Sequence, residues 1–174
     1  ASVVNALSEY TKVNVHKDGI VYEQEYTRGK TVAPVAEVGT TDISGTHVTF
    51  KPDHEIFTET LIYDFDILAV RLKELAYLNK GLKLTILDKR ENDKYQEFFF
   101  EGGIIEYVAD LNSAKKCIHE SVFGAEDESG DIVVDIALQY HEGYSTNILS
   151  YVNNIKTHEG GTHVSGFRTA LTRT

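Results

Sequence analysis

Two imidazoles and a carboxylate fall close together near the end of the sequence, and such groups could bind a metal ion. They belong to His158, Glu159 and His163, which lie within six residues of one another. Two histidines on one helical face need a spacing of four, whereas these two are five apart across a Gly-Gly pair. A metal-dependent hydrolase therefore stays open as an alternative, against a glycine turn that leads into a helix.

The same two glycines could instead bind an anion, because they precede Thr162 and a predicted helix. Free backbone N–H groups at a helix N-terminus attract negative charge. However, no lysine stands at P-loop spacing and no complete glycine fingerprint follows a strand. Ser165 precedes Gly166 but lacks the first glycine and the strand of a nucleophile elbow. The local motifs therefore do not name a reaction.

The composition is typical of a soluble globular protein, with 41% hydrophobic and 25% charged residues among 174. No apolar run is long enough to span a bilayer. The single cysteine, Cys117, excludes an internal disulfide, so a reducing cytoplasm is expected. The formal net charge of −10 should repel DNA, which confines direct DNA contact to small basic patches. A sequence that opens on Ala1 and contains no Met is expected to be a piece of a longer polypeptide.

The elements that would position these groups follow the hydrophobic pattern. Alternating residues around Asp18-Gly19 predict a β-hairpin, followed by a loop at residues 29–43 and a third strand at residues 46–50. Helical spacing of apolar residues predicts a helix at residues 64–80, with Asp64 as its N-cap. The other predicted elements are strands at 82–87, 95–100, 132–140 and 147–153, a turn at 88–94, a loop at 126–131, and helices at 104–111 and 163–171, the last with Thr162 as N-cap. These elements predict an α+β protein in two parts, divided after residue 101 at Gly102-Gly103.

Several segments resemble the B subunits of bacterial type II DNA topoisomerases, which are DNA gyrase and its paralogue topoisomerase IV. The segments are residues 2–8 (SVVNALS), 45–46 (GT), 71–72 (RL), 74–79 (ELAYLN), 88–90 (DKR), 100–103 (FEGG), 153–155 (NNI) and 159–163 (EGGTH). Their order and spacing follow the family from end to end, so the sequence is identified as a member. Residues 39–42 and 76–79 favour gyrase, and the B subunit of topoisomerase IV stays the alternative.

The resemblance implies both the fold and the activity of a parent protein. Residues 1–101 would form the later part of a Bergerat-type (GHKL) ATPase α/β sandwich, and residues 102–174 would begin a transducer similar to ribosomal S5 domain 2. The parent would bind and hydrolyse ATP with Mg²⁺, dimerise on binding ATP, and act with the gyrase A subunit on DNA. ATP binding and hydrolysis would drive DNA strand passage and negative supercoiling by the parent. A non-enzymatic nucleotide-binding or interaction module with the same fold is the alternative from another class.

The resemblance also implies which residues bind ATP. Residues 1–4 correspond to the start of a helix that receives the phosphates, which assigns Ala1 and Ser2 to ATP binding. Gly45 and Thr46 would lie near the adenine, and Val48 would line its pocket or be a plain core residue of a strand. One further residue, Lys17, stands where many of the family's gyrase members carry an arginine that contacts coumarin inhibitors.

The resemblance places the catalytic groups outside this sequence. The family's general-base glutamate, Mg²⁺-binding asparagine and adenine-reading aspartate would precede Ala1, and the transducer lysine that touches the γ-phosphate would follow Thr174. We therefore expect no catalytic residue and no metal ligand in the chain. By itself the chain is expected to hold no cofactor tightly and to lack ATPase activity.

Overall fold

The computed structural model describes residues 2–90 and 93–173, and within these ranges helices alternate with antiparallel strands. The helices are α1 (Ser2–Ala6), α2 (Phe65–Leu78), α3 (Gly103–Asn112) and α4 (Thr162–Arg173). The strands are β1 (Ser8–Lys17), β2 (Ile20–Thr27), β3 (Lys30–Thr31), β4 (Ala36–Thr40), β5 (Gly45–Pro52), β6 (Leu84–Asp88), β7 (Lys94–Phe98), β8 (Phe123–Ser129), β9 (Ile132–Leu138), β10 (Tyr151–Val152) and β11 (Ile155–Lys156). The predicted α+β class is confirmed.

The chain divides into two compact units, residues 1–63 and residues 64–174. The domain boundary predicted after residue 101 falls inside the second unit. That boundary concerns family domains rather than compact units of this chain, and it stays a prediction. None of the helices in the described part of the chain is long and apolar enough to cross a membrane.

The first unit is built on a sheet with the strand order β3-β2-β1-β5, and β4 also pairs with β2. The predicted Asp18-Gly19 hairpin is confirmed, because β1 and β2 pair from Lys17 and Ile20 outwards. Asp18 and Gly19 have φ values of +53° and +80°, as a type I′ turn requires. The predicted third strand is confirmed as β5, which pairs with β1.

The predicted loop at residues 29–43 is wrong in part, because it contains β3 and β4. Both strands pair with β2, through Tyr26 with Thr31 and through Ile20 with Thr40. All of their residues are exposed. Because both strands are short and bury no apolar face, the hydrophobic pattern did not distinguish them from a loop.

The second unit has its core where α2 packs on the β6–β7 hairpin. The buried residues Phe65, Ala69 and Ala76 of α2 meet Phe98 of β7. Partly buried side chains surround this cluster: Leu72, Leu84, Ile86 and Phe100. The helix predicted at residues 64–80 is confirmed as α2, with Asp64 as its N-cap. The two predicted strands are confirmed as β6 and β7, while Glu91 and Asn92 of the predicted turn lie outside the described residues.

The predicted helix after Gly102-Gly103 is confirmed as α3, but the predicted loop at residues 126–131 is wrong. Its first four residues belong to β8, which pairs along its whole length with β9, from Phe123–Leu138 to Ser129–Ile132. The turn between the strands is Gly130-Asp131, and Gly130 has a φ of +63°. Glycine at the first central position, followed by Asp, was the available hairpin signal. The acidic side chains stay exposed on the strand.

The predicted strand at residues 132–140 is confirmed as β9, but the predicted strand at residues 147–153 is wrong over most of its length. The partner of β9 is β8, and residues 145–150 lie in no strand. A shorter hairpin forms instead between β10 and β11, around Asn153 and Asn154. Both asparagines have positive φ, +49° and +64°, which asparagine tolerates better than most residues. The last predicted helix is confirmed as α4, although it begins at Thr162 itself rather than after a Thr162 cap.

Candidate functional site

Three of the predicted ATP-binding residues lie along one strand of the first unit. Gly45, Thr46 and Val48 belong to β5, where they pair with His16, Val15 and Val13 of β1. Side chains alternate along a strand, so Thr46 and Val48 share one face. That face offers a hydroxyl beside an aliphatic group, a combination that fits a purine ring and its polar edge.

Val48 is an exposed residue in this chain. Its side chain is 46% exposed, and every residue of β5 before Pro52 is exposed. The buried hydrophobic residues among those described all lie in the second unit. The exposure of Val48 leaves both interpretations open, and its place in the adenine pocket stays a prediction.

The β1–β2 turn brings Lys17 to the same end of the sheet as Gly45. His16, the neighbour of Lys17, pairs with Gly45 across β1 and β5. Thr41 holds this arrangement, because its backbone N–H donates to the Gly19 carbonyl at 3.0 Å and its Oγ1 lies 2.9 Å from His16 Nδ1. The sequence pattern did not indicate this link, which joins the turn to the loop before β5.

Ser2 lies at the opposite end of β1, on the five-residue helix α1. Ser8 Oγ donates to the Val4 carbonyl at 2.6 Å, which ties α1 to the start of β1. The structure therefore does not bring Ser2 together with Gly45 at one end of the sheet. The other predicted phosphate-side residue, Ala1, lies outside the described residues. The assignment of both to ATP binding stays a prediction.

Glu9, Asp53 and His54 form the one set of potential metal ligands within residues 2–90 and 93–173. Both carboxylates already have cationic partners, since Glu9 pairs with Lys51 and Asp53 pairs with Arg28 Nε at 2.8 Å. The backbone N–H of Glu55 and the Arg28 guanidinium lower the pKa of Asp53 below its ordinary value. We interpret this set as an ion-pair network that closes the turn after β5.

The structure does not support the metal site proposed for His158, Glu159 and His163. Within the described part of the chain, their ligand atoms do not form a set close enough to share an ion. His163 Nε2 lies 3.3 Å from Thr157 Oγ1. A hollow of about 290 Å³ lies beside the Gly-Gly pair, but its polar side chains are exposed or only partly buried. The glycine-turn interpretation therefore accounts for this segment.

Comparison with known proteins places the chain in one family. A family model described as DNA gyrase B matches residues 103–174. The chain is 51% identical to the DNA gyrase B subunit of Halalkalibacterium halodurans over 99% of its own length and 27% of that protein. It is 54% identical to the DNA gyrase B subunit of Bacillus mycoides over 99% of its length and 43% of that protein. The chain belongs to the DNA gyrase B family.

Solved structures of gyrase B agree with this assignment. The chain matches the 43K ATPase domain of Thermus thermophilus gyrase B, solved with an aminocoumarin, at a TM-score of 0.89 and 38% identity. That match covers 99% of the chain and 47% of the domain. The gyrase B protein of Myxococcus xanthus matches at a TM-score of 0.87 and 28% identity, over 96% of the chain and 49% of that structure. The predicted fold, that of a gyrase B ATPase domain with transducer, is confirmed, and the chain spans less than half of each relative.

Proposed function

We propose that this chain is part of the DNA gyrase B protein, whose full-length parent couples ATP hydrolysis to DNA strand passage and negative supercoiling. The observation that carries the proposal is the match over 99% of the chain to curated gyrase B proteins at 51–54% identity. In this proposal the parent acts in the cytoplasm with the gyrase A subunit and DNA. Binding of ATP favours its dimer, because the dimer contacts form only in that state.

The residues of this chain would form part of the nucleotide site. Val48 would pack against the adenine and the Thr46 hydroxyl would hydrogen-bond near its polar edge, with Gly45 allowing close approach. Ala1 and Ser2 would donate backbone N–H groups toward the phosphates. Bound Mg²⁺ would neutralise charge on the phosphates, and its ligands would lie outside this chain.

The isolated chain should hydrolyse no ATP, because the family's general base and Mg²⁺-binding asparagine would precede Ala1. Phosphate release, measured while the purified chain is incubated with ATP and Mg²⁺, tests this. Turnover that co-purifies with the chain through successive columns would contradict it.

The full-length parent protein, assayed with the gyrase A subunit, tests the proposal as a whole. Relaxed plasmid should become negatively supercoiled only when ATP is present. Thr46→Val should weaken ATP binding about tenfold, since one hydrogen bond to the nucleotide is lost. Thr49→Val is the matched control: it makes the same change three residues along β5, on the opposite face.

The outcome also separates the two classes of function. Nucleotide binding without any supercoiling would favour a non-enzymatic module, and decatenation without supercoiling would favour topoisomerase IV. Equal losses in Thr46→Val and Thr49→Val would contradict the proposed adenine wall while leaving the enzyme assignment intact.

Lys17 should influence inhibitor affinity, because the matched Thermus thermophilus domain was solved with an aminocoumarin. Lysine keeps the positive charge of the arginine expected there but lacks its planar, bidentate fork. We therefore expect Lys17→Arg in the complete ATPase domain to raise aminocoumarin affinity about tenfold, by one added charge-assisted hydrogen bond. Calorimetric titration measures this, with Lys30→Arg on the separate strand β3 as control. No gain in affinity on Lys17→Arg would refute the prediction.

A further inference from the structure

Glu74 of α2 is a nearly buried carboxylate whose partners come from two separate segments of the second unit. Its side chain is only 12% exposed. Tyr151 of β10 donates its hydroxyl to Glu74 Oε1, and Arg71, one turn earlier on α2, pairs with Oε2. Lys156 Nζ of β11 lies 4.0 Å from Oε1. The β10–β11 hairpin is thus held to α2 through one acidic side chain.

The turn of the hairpin makes further contacts with the same helix. Arg71 Nη2 donates to the Asn154 carbonyl at 3.1 Å. Asn154 Nδ2 donates to Asn79 Oδ1 at 2.9 Å, at the C-terminal end of α2. Asn79 Nδ2 in turn donates to the Leu75 carbonyl at 2.7 Å. The positive φ of Asn154 sets the turn so that its carbonyl and its amide both reach α2.

An aromatic stack lies between the hairpin and the core. Tyr77 of α2 is stacked on Phe100 at 3.6 Å and on Tyr107 of α3 at 4.7 Å, measured between ring centroids. The Tyr107 side chain also lies near Tyr151 and contributes to the raised pKa of Tyr151. Burial and the hydrogen bond to Glu74 raise the pKa of Tyr151 well above its usual value. The hydroxyl of Tyr151 therefore stays protonated at neutral pH and donates to Glu74.

The contacts continue beyond the hairpin toward α4. The Thr157 N–H donates to the Ser150 carbonyl at 2.9 Å, which closes the hairpin at its base. Thr157 Oγ1 lies 3.3 Å from His163 Nε2, in the first turn of α4. Hydrogen bonds therefore connect α2, the hairpin and α4 in sequence.

The contacts of this arrangement depend on one another. A buried ionised carboxylate is stable only while its partners are in place, and removing one partner leaves a charge without compensation. Because hydrogen bonds in a network strengthen one another, the loss of one partner weakens the others. Its members come from both sides of the predicted boundary after residue 101, with α2 on one side and the hairpin on the other. The network is thus placed to join the two predicted parts.

We propose that Arg71, Glu74 and Asn79, together with Tyr151, Asn154 and Lys156, form an interlock that carries nucleotide-driven movement from the ATPase part to the transducer part. This proposal rests on the proposed function. These six are positioning residues, because they act through the hairpin and α4 and need not touch ATP. Loosening the interlock would uncouple ATP hydrolysis from DNA strand passage, although the residues that perform each step would remain in place.

The test uses the full-length parent protein with the gyrase A subunit and measures ATP hydrolysis and supercoiling in the same sample. Tyr151→Phe removes only the hydroxyl that donates a hydrogen bond to Glu74. We expect hydrolysis to stay close to that of the unmodified protein, while supercoils introduced per ATP consumed fall about fivefold or more. Glu74→Gln should give a similar loss, and the double variant should lose little more than either single one.

Tyr95→Phe is the matched control, because Tyr95 also donates to a glutamate, Glu97 at 2.8 Å, but within the single strand β7. It should leave the coupling ratio unchanged. Asn154→Gly is a second test, since it keeps the positive φ of the turn and removes only the amide contact with Asn79. It should also lower the ratio, and far-UV circular dichroism reports whether each variant is folded.

Three outcomes separate the inference from the function on which it rests. An unmodified protein that does not supercoil DNA with ATP overturns the proposed function. Supercoiling by the unmodified protein, with an unchanged coupling ratio in folded Tyr151→Phe and Asn154→Gly, overturns the interlock alone. An equal loss of the coupling ratio in Tyr95→Phe also overturns it, because the loss would then not be specific to the bond between Tyr151 and Glu74.

Discussion

Single carboxylates organise both units of this protein. Asp53, only 3% exposed, accepts from the Glu55 N–H at 3.0 Å and pairs with Arg28, while its own N–H donates to the Leu7 carbonyl at 3.0 Å. Glu74 has the corresponding role in the second unit. In each case a charge can be buried because arginine and further hydrogen-bond donors surround it.

The pKa of Glu74 leads to a prediction about stability and pH. Burial alone would raise this pKa, but the hydrogen bonds from Tyr151 and Arg71 lower it below the ordinary value of 4.5. A lowered carboxyl pKa stabilises the folded state above the unfolded pKa, and that contribution is lost as pH falls through the folded pKa. Glu74→Gln should therefore cost about 1–3 kcal/mol at neutral pH and converge with the unmodified protein in acid.

Urea unfolding followed by circular dichroism, at neutral pH and between about pH 5 and pH 3, measures this difference. Glu97→Gln is the control, since the Glu97 side chain is 40% exposed and its pair with Lys83 is screened by solvent. A constant difference between Glu74→Gln and the unmodified protein at every pH would contradict the prediction.

At the scale of single elements, α2 depends on its first cap. Asp64 has extended backbone angles and accepts from the Ile67 N–H at 3.0 Å, so it satisfies one of the helix's free donors. Because α2 also carries most of the buried core, fraying at this end exposes Phe65 first. The sequence pattern predicted this cap correctly.

Asp64→Ala should lower the free energy of unfolding by about 1 kcal/mol, because the Ile67 N–H loses its partner. Asp64→Ser should restore most of the loss, since serine is an equally good N-cap. Thermal and urea unfolding of the three proteins measure the effect. If serine destabilises as much as alanine, the negative charge rather than the cap bond is responsible.

At the scale of the whole molecule, charge limits what the chain can bind. The formal net charge is −10, and the two small basic patches of the sequence are Lys89-Arg90 and Arg168 with Arg173. In the first patch, Arg90 is already paired with Asp88. The hydrogen bonds from the Arg90 guanidinium have the largest effect on the pKa of Asp88, which is lowered to about 2. Arg168 and Arg173 on α4 remain as a small exposed patch.

We therefore expect the isolated chain not to bind duplex DNA, with DNA contact in the parent made elsewhere. Fluorescence anisotropy with a labelled duplex, at about 50 mM salt where phosphate contacts are strongest, measures this. A basic DNA-binding protein serves as the positive control. A micromolar or tighter dissociation constant that weakens with added salt would contradict the prediction.

The amino-acid sequence alone determined the elements whose signals are local. The Asp18-Gly19 turn, the capped helix α2 and the break at Gly102-Gly103 all follow from backbone preference and hydrophobic period, and so does the α+β class. The family resemblance came from the order of short motifs along the chain. These features need no knowledge of distant contacts.

Only the tertiary structure decided the features that depend on partners far apart in sequence. The exposed strand β4 buries no apolar face and pairs with β2 about a strand's length away, through Ile20 with Thr40, so the hydrophobic pattern did not predict this pairing. Glu74 and Tyr151 are separated by 77 residues, and each looks like an ordinary polar residue of its own segment. A hydrogen bond between them exists because folding brings both to one partly buried place, where a carboxylate needs a donor.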